Sequence, residues 1–342
     1  MKATSVHVSG GGIRGAFIAK CLHEVFEKNK GVSESVSCVS GVSAGSIVAS
    51  CLATGTPLLT SVGSLNTRHF VEQKNMCSSA YTMYRIWNNK EDSFYDNDRL
   101  LDAMSDLFEN KQCKCDLDIA VSDASNFTPV SYKFNKGEVI SSRLVAASCS
   151  IPGLFPPMYY DSRLCVDSGP VQEFNHSSLR NSLASEKFNF HILCSCHPWV
   201  LHSENVSPYH DEFKSFASKL FRMMSDDNIR HHYQNLKTVL NISTFTDGRS
   251  MVCFRRTADG IEHICTLTPE NIGNGVPPEA NLFMLMIAPT ENEYAGFTDA
   301  TLLDPPDVRR PVIGKMLERA RYAVSDSLQL IAACNLGVDL KY

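Results

Sequence analysis

The first 55 residues constrain the fold more than any other part of the chain. Ser5 to Ser9 alternate as a strand, with Val6 and Val8 on one face, and run straight into Gly10-Gly11-Gly12-Ile13-Arg14-Gly15. Phe17/Ile18, Cys21/Leu22 and Val25/Phe26 then recur every four residues, with Lys20, Glu24 and Glu27 opposite. That spacing predicts an amphipathic helix, ended by Lys30-Gly31. A second short strand, Val36–Val39, enters Gly41-Val42-Ser43-Ala44-Gly45, and an apolar helix follows through Ile47, Val48, Cys51 and Leu52 to Gly55. Strand, glycine loop, helix, strand, tight turn, helix is the opening of a parallel α/β sheet.

Composition bounds the function classes. The 342 residues carry 32 Lys+Arg against 37 Asp+Glu, a net charge of −5, which argues against the basic face a nucleic-acid partner needs. With 43% hydrophobic residues there is ample material for a core. The longest apolar runs, around Ile47–Leu52 and Asn281–Ala288, fall far short of the roughly 20 residues of a membrane span. The first residues show no secretory h-region, and myristoylation and prenylation signals are absent. The expectation is a soluble cytoplasmic protein, at most peripheral at membranes. Its 13 cysteines are dispersed from Cys21 to Cys334 and read as reduced thiols. Cys113-Lys114-Cys115 and Cys194-Ser195-Cys196-His197 lack the spacing of a structural zinc site, so no metal is expected.

Further along, a helix is expected from Asp98 through Leu101, Met104 and Phe108, and another over Ser141–Ala147. Strands are expected at Leu117–Ser122, Val130–Phe134, Arg163–Asp167 and Phe190–Cys194. His202–Tyr209 and Asn271–Asn281 read as loops. Val312, Ile313, Met316, Leu317, Ala320, Val324, Leu328 and Ile331 have helical spacing. The accompanying Arg309, Arg310, Lys315, Arg319 and Arg321 read as the solvated face of a docked helix, with a lipid-facing basic edge as the alternative.

Two motifs carry chemistry. Gly10–Gly15 satisfies G-x-G-x-x-G, but dinucleotide binding also wants an acid at the end of the second strand. That position leads instead into Gly41–Gly45, a G-x-S-x-G between strand and helix. Its glycines allow a sharp turn that lifts the Ser43 hydroxyl clear, with the following helix dipole aimed at the site. A serine needs a base and an oxyanion stabiliser to act as nucleophile. The Gly10–Gly15 loop, with its unobstructed N–H groups and the charge of Arg14, can supply the second. The base is open on residues alone. One of His191, His197 or His202 would complete a triad, whereas Asp167, at a strand end, would act directly if burial raised its pKa.

Gly10–Gly15, Gly41–Gly45 and the run Ala146-Ala147-Ser148-Cys149-Ser150-Ile151-Pro152-Gly153-Leu154-Phe155-Pro156-Pro157, leading to Asp167-Ser168-Gly169, together resemble the patatin-like phospholipase family. The resemblance covers roughly residues 4–180, including Phe94-Tyr95-Asp96, and is faint beyond. It implies an α/β fold, a mostly parallel central sheet between helices in a three-layer sandwich related to the α/β hydrolases. Residues 4–200 would form the catalytic core and residues 201–342 a continuation of the same domain. It further implies Ser43 as nucleophile and Asp167 as its partner in a Ser–Asp dyad. The oxyanion hole would be Gly10, Gly11, Gly12, Ile13, Arg14 and Gly15, and the elbow Gly41, Val42, Ala44 and Gly45. No cofactor is required.

The implied substrate is a phospholipid or lysophospholipid met at a transient membrane surface, and the aromatic stretch Tyr81, Tyr84, Trp87, Phe94 and Tyr95 is either its acyl entrance or core packing. Ser168 stands where the family usually has glycine, and Ser9 where it usually has an aspartate or small residue. A Cβ at Ser168 that tilted Asp167 would leave a weak or silent lipid-binding protein.

Overall fold

The structure is a computed structural model that describes residues 2–67, 93, 95–200, 229–295, 297 and 306–336. Its strands are β1 (Ala3–Val8), β2 (Val36–Val42), β3 (Asp116–Asp123), β4 (Pro129–Phe134), β5 (Met158–Tyr160), β6 (Arg163–Asp167), β7 (Phe188–Cys194), β8 (Arg249–Thr257), β9 (Gly260–Leu267) and β10 (Leu282–Ile287). Its helices are α1 (Gly15–Lys28), α2 (Lys30–Ser35), α3 (Ala44–Thr54), α4 (Leu58–Thr67), α5 (Asp98–Phe108), α6 (Ser142–Ser148), α7 (His176–Ala184), α8 (described over 229–240), α9 (Glu291–Ala295) and α10 (Pro306–Ala333). Among the described residues, no helix is long and apolar enough to cross a membrane.

Among the described residues, ten strands join one mixed sheet in the order β5-β6-β3-β2-β1-β7-β10-β8-β9, with β4 on the other side of β3. The centre, β3-β2-β1-β7-β10, is parallel, and both margins are antiparallel. Parallel strands covered on both faces bury both sets of side chains, and every side chain from Thr4 to Val8 is buried. One core holds Val6, Val8, Ile192, Leu285 and Ile287 with the apolar stripe of α1 and the inward face of α10. The opposite face of β10, Leu282, Met284 and Met286, packs with Trp199, Tyr233, Leu236 and Leu179 in a second core. Beneath β1 and β2 that second face turns polar. Ser5 Oγ lies 2.6 Å from His191 Nδ1 and 3.0 Å from His7 Nε2, and His7 also bonds Ser40 (2.7 Å) and Ser182 (3.0 Å). Burial lowers His7 to about 3 and His191 well below its ordinary value, so both rings are neutral.

Some expectations need correction. The Lys30-Gly31 pair does not end helical structure. Asn29 closes α1, and its side chain accepts from Val32 N to start α2. Arg309 is not on the solvated face of the last helix. It lies three and seven residues before Val312 and Met316, shares their inward side and is fully buried, while Arg310, Lys315, Arg319 and Arg321 are exposed.

Candidate active site

The two sequence motifs meet because of how β3 is paired. On one side β3 carries β4, from Leu117 to Ser122. Its other side is shared by β2 and β6. Parallel β2 occupies Asp116–Ala120 and stops at the pair Val42↔Ala120. Antiparallel β6 comes from the opposite direction and stops at Asp167↔Val121. The two strands therefore meet end to end, one rung apart, with Ser43 leaving one and Asp167 closing the other.

Ser43 sits at φ 54°, ψ −127°, a conformation costly for a residue with a side chain, between β2 and the first turn of α3. The tight packing of the turn depends on its two glycines. A Cβ on Gly41 would lie 2.2 Å from the Gly45 carbonyl oxygen, and one on Gly45 would lie 2.4 Å from that of Ser9. So β2, α3 and the end of β1 touch backbone to backbone. The Ser43 N–H donates to Ser148 Oγ (3.0 Å), and the Ser43 carbonyl accepts from Ser46 N (2.8 Å) and Ser46 Oγ (2.6 Å).

Asp167 is buried. Burial pushes its carboxyl up to about 7, against the opposing pull of the Ser43 hydroxyl and the Gly169 N–H, which donates to Oδ1 at 2.7 Å. The buried carboxylate of Glu173 adds to the upward shift. Ser168 is accommodated: its hydroxyl accepts from Gln172 Nε2 (3.0 Å) and Ser122 Oγ (3.3 Å), and the Gly169–Asp167 bond beside it is kept.

Gly10–Arg14 runs from the end of β1 through a single 3-10 turn, Gly12–Arg14, into α1. The ideal Cβ position of Gly15 is 3.2 Å from Ala44 Cβ, so the N-terminal ends of α1 and α3 converge here, and their dipoles favour negative charge. Gly12, Gly15, Ser43 and Ala44 line a cleft whose other walls are Ile47, Val48, Leu100, Cys149, Ile151 and Phe155. Apart from Ser43 and Ser61 it is lined by glycine, apolar side chains and Cys149, which suits a hydrocarbon chain. Tyr95 reaches the back of this wall, its N–H on the Leu154 carbonyl (2.9 Å) and its ring 6.1 Å from that of Phe155. Tyr81, Tyr84, Trp87, Phe94 and His202 lie outside the described residues.

The two described triad candidates are otherwise engaged. His191 belongs to the buried serine–histidine layer, and His197 Nδ1 is 2.9 Å from Glu173 Oε1. Burial pushes Glu173 up, but the charge and hydrogen bond of His197, with His232 and Ser9, outweigh it and hold the carboxyl low. Sequence reasoning passed over Ser148 and Tyr294. Ser148 stood inside the quoted Ala146–Pro157 run, whereas nothing near Tyr294 in the chain marks it.

A family model, Patatin-like phospholipase, matches residues 7–179, just over half the chain, a span that holds the glycine loop, Ser43, Ser148 and Asp167. The chain belongs to the patatin-like phospholipase family. Lipid acyl hydrolysis is the activity class that goes with patatin-like phospholipases. Solved structures with detectable likeness include VipD from Legionella pneumophila, 12% identical over 95% of this chain and 67% of that one, with a TM-score of 0.38. Human GIVD cytosolic phospholipase A2 in complex with methyl gamma-linolenyl fluorophosphonate is 9% identical, over 98% of this chain and 60% of that one, with a TM-score of 0.46. This patatin-like chain thus spans 60% of the length of the human protein. No curated protein sequence matches it.

Proposed function

We propose that the chain hydrolyses carboxylic esters of phospholipids or lysophospholipids through a Ser43–Asp167 dyad. The observation that carries this reading is the end-to-end meeting of β2 and β6, with a buried carboxyl raised to about 7 at the strained Ser43. Ser43 Oγ attacks the ester carbonyl carbon while its proton passes to the Asp167 carboxylate. The developing oxyanion is met by N–H groups within the glycine loop, between Gly10 and Arg14, whose own N–H groups donate to the Glu173 and Gly11 carbonyls, and by the positive ends of α1 and α3. Collapse breaks the ester C–O bond, and the leaving alcohol takes the proton back from Asp167. Water, deprotonated by the same carboxylate, then attacks the acyl-serine, releasing fatty acid and free Ser43.

A base with a pKa near 7 is matched to neutral pH, where a carboxyl at its usual value would be a feeble proton acceptor. The engagement of His191 and His197 in other bonds favours the dyad over a histidine triad. The apolar cleft favours an acyl chain, and the substrate is met at a membrane surface in the cytoplasm.

The test is free fatty acid release from mixed phospholipid and lysophospholipid vesicles by wild type, Ser43→Ala and Asp167→Ala. Loss of activity by several orders of magnitude in both variants, with folding unchanged, is the expected result. A wild-type chain that binds vesicles and releases nothing would favour the silent lipid-binding reading instead.

A further inference from the structure

The glycine loop is gripped from its outer side by a side chain that comes from 280 residues away in sequence. Arg14 Nε and Arg14 N both donate to the carbonyl of Gly11, at 3.1 and 3.2 Å. Because a trans peptide is planar, its C=O and N–H point in opposite directions. Holding the Gly11 carbonyl toward Arg14 therefore turns the Gly12 N–H the other way, and Gly12 lines the cleft beside Ser43. Arg14 thus orients the peptide that offers a donor to the site.

Tyr294 holds Arg14 in turn. Its hydroxyl accepts from Arg14 Nη1, and the guanidinium carbon is 5.2 Å from its ring centroid. Its ring is 5.7 Å from that of His197, which is fixed by buried Glu173, whose backbone carbonyl accepts from Gly10 N at 3.2 Å. The contacts close a circuit around the loop: Gly10, Glu173, His197, Tyr294, Arg14, Gly11. The short helix α9 that presents Tyr294 is itself anchored. Neighbouring Glu293 bonds buried Arg249 at 2.6 Å, and Arg249 also pairs with Asp326 of α10 at 2.9 Å.

We propose that Tyr294 is a positioning residue for the hydrolysis: through Arg14 it sets the orientation of the Gly11–Gly12 peptide and so completes the oxyanion site. This rests on the hydrolase reading above. It also gives the segment after β10, which lies beyond the family match, a role in a site built by the first half of the chain.

The experiment is a double-mutant cycle on the full chain, with kcat and KM measured for a soluble short-chain ester. The rate of Ser43 labelling by a fluorophosphonate is followed in parallel. Tyr294→Phe keeps the ring against His197 and removes the hydroxyl that accepts from Arg14. It is expected to lower kcat about tenfold with KM within about twofold, because the contact acts on transition-state charge. Arg14→Ala is expected to lower kcat about a hundredfold, and the double variant no further, since both changes free the same peptide. His197→Gln leaves the hydroxyl but removes the ring behind it. It should cost about threefold and likewise add nothing in the Arg14→Ala background, which keeps the test decisive should Tyr294→Phe fold poorly.

Wild-type kcat in Tyr294→Phe, or losses that multiply in full with that of Arg14→Ala, would overturn the proposal while leaving the hydrolase reading standing. A wild-type chain that neither turns over ester nor labels at Ser43 would remove both.

Discussion

Ser148, the last residue of α6, bonds Ser43 and β3 at once: its Oγ accepts from the Ser43 N–H at 3.0 Å and donates to the Ala120 carbonyl at 2.7 Å. Ala120 is the residue at which β2 stops, one rung from Val121, where β6 stops. One hydroxyl therefore ties the strained turn to the junction of the two strands.

Replacing Ser148 by Ala leaves a buried N–H and a buried carbonyl without that partner, which costs about 1–3 kcal/mol for each group left unsatisfied. The expected outcome is a lower melting temperature and a kcat reduced about tenfold with KM little changed. Cys at the same position, a weak donor and acceptor, should fall between the two. Kinetics on a soluble ester alongside thermal unfolding checks this, and a variant with unaltered kcat would show that the turn holds itself.

The proposed base sets the pH dependence. Asp167 must be ionised to accept the Ser43 proton, and burial raises its carboxyl to about 7. Activity should therefore rise with pH, with a midpoint near 7 and a plateau above about 8, falling roughly tenfold per unit on the acid side. A soluble ester avoids changes in vesicle charge. A flat profile between pH 5.5 and 8.5 would count against Asp167 as the base.

Legibility in the sequence tracked locality. The glycine loop, α1 and Ser43 are specified within a few residues by glycine spacing and a four-residue apolar repeat. The Arg163–Asp167 strand was likewise readable from its own short run. What could not be read was which way that strand runs against β2, since its antiparallel run from Asp123 to Val121 depends on the pairing of β3. The apolar run Asn281–Ala288 was noticed only as too short for a membrane, yet it contains β10, which is apolar on both faces because both are covered. The charge of Arg309 argues for solvent and its place in the helical repeat argues for the core, and the structure follows the repeat. The Tyr294–Arg14 contact joins distant segments, and no periodicity records it.

The glycines separate steric need from convenience. Gly41→Ala would drive a Cβ into the backbone of Gly45, and no side-chain rotation relieves a clash with backbone at 2.2 Å. A loss of more than about 3 kcal/mol, or failure to fold, is expected. Gly314, exposed within α10, has nothing within 4 Å of its Cβ position, so Gly314→Ala should stabilise the chain by about 0.5–1 kcal/mol through helix propensity. Its hydrolytic activity should equal that of wild type. Urea unfolding of the two variants measures both signs in one experiment.

The same carboxyl that serves as the proposed base should also weaken the fold as it ionises. A carboxyl whose folded pKa, about 7, lies above its ordinary 3.8 binds its proton more tightly when folded. Its stabilising contribution is complete below about 3.8 and is lost as pH rises through about 7, because the unfolded chain ionises first. Asp167→Asn, permanently neutral and close in shape, escapes that loss. Relative to wild type, the Asn variant should therefore gain stability between pH 5 and pH 8, by on the order of 2 kcal/mol, while losing activity at every pH. Paired melts at the two pH values test the sign directly. An advantage for Asn that shrank toward pH 8 would mean that the ionised carboxylate is well solvated or well paired, and that burial is not what tunes it.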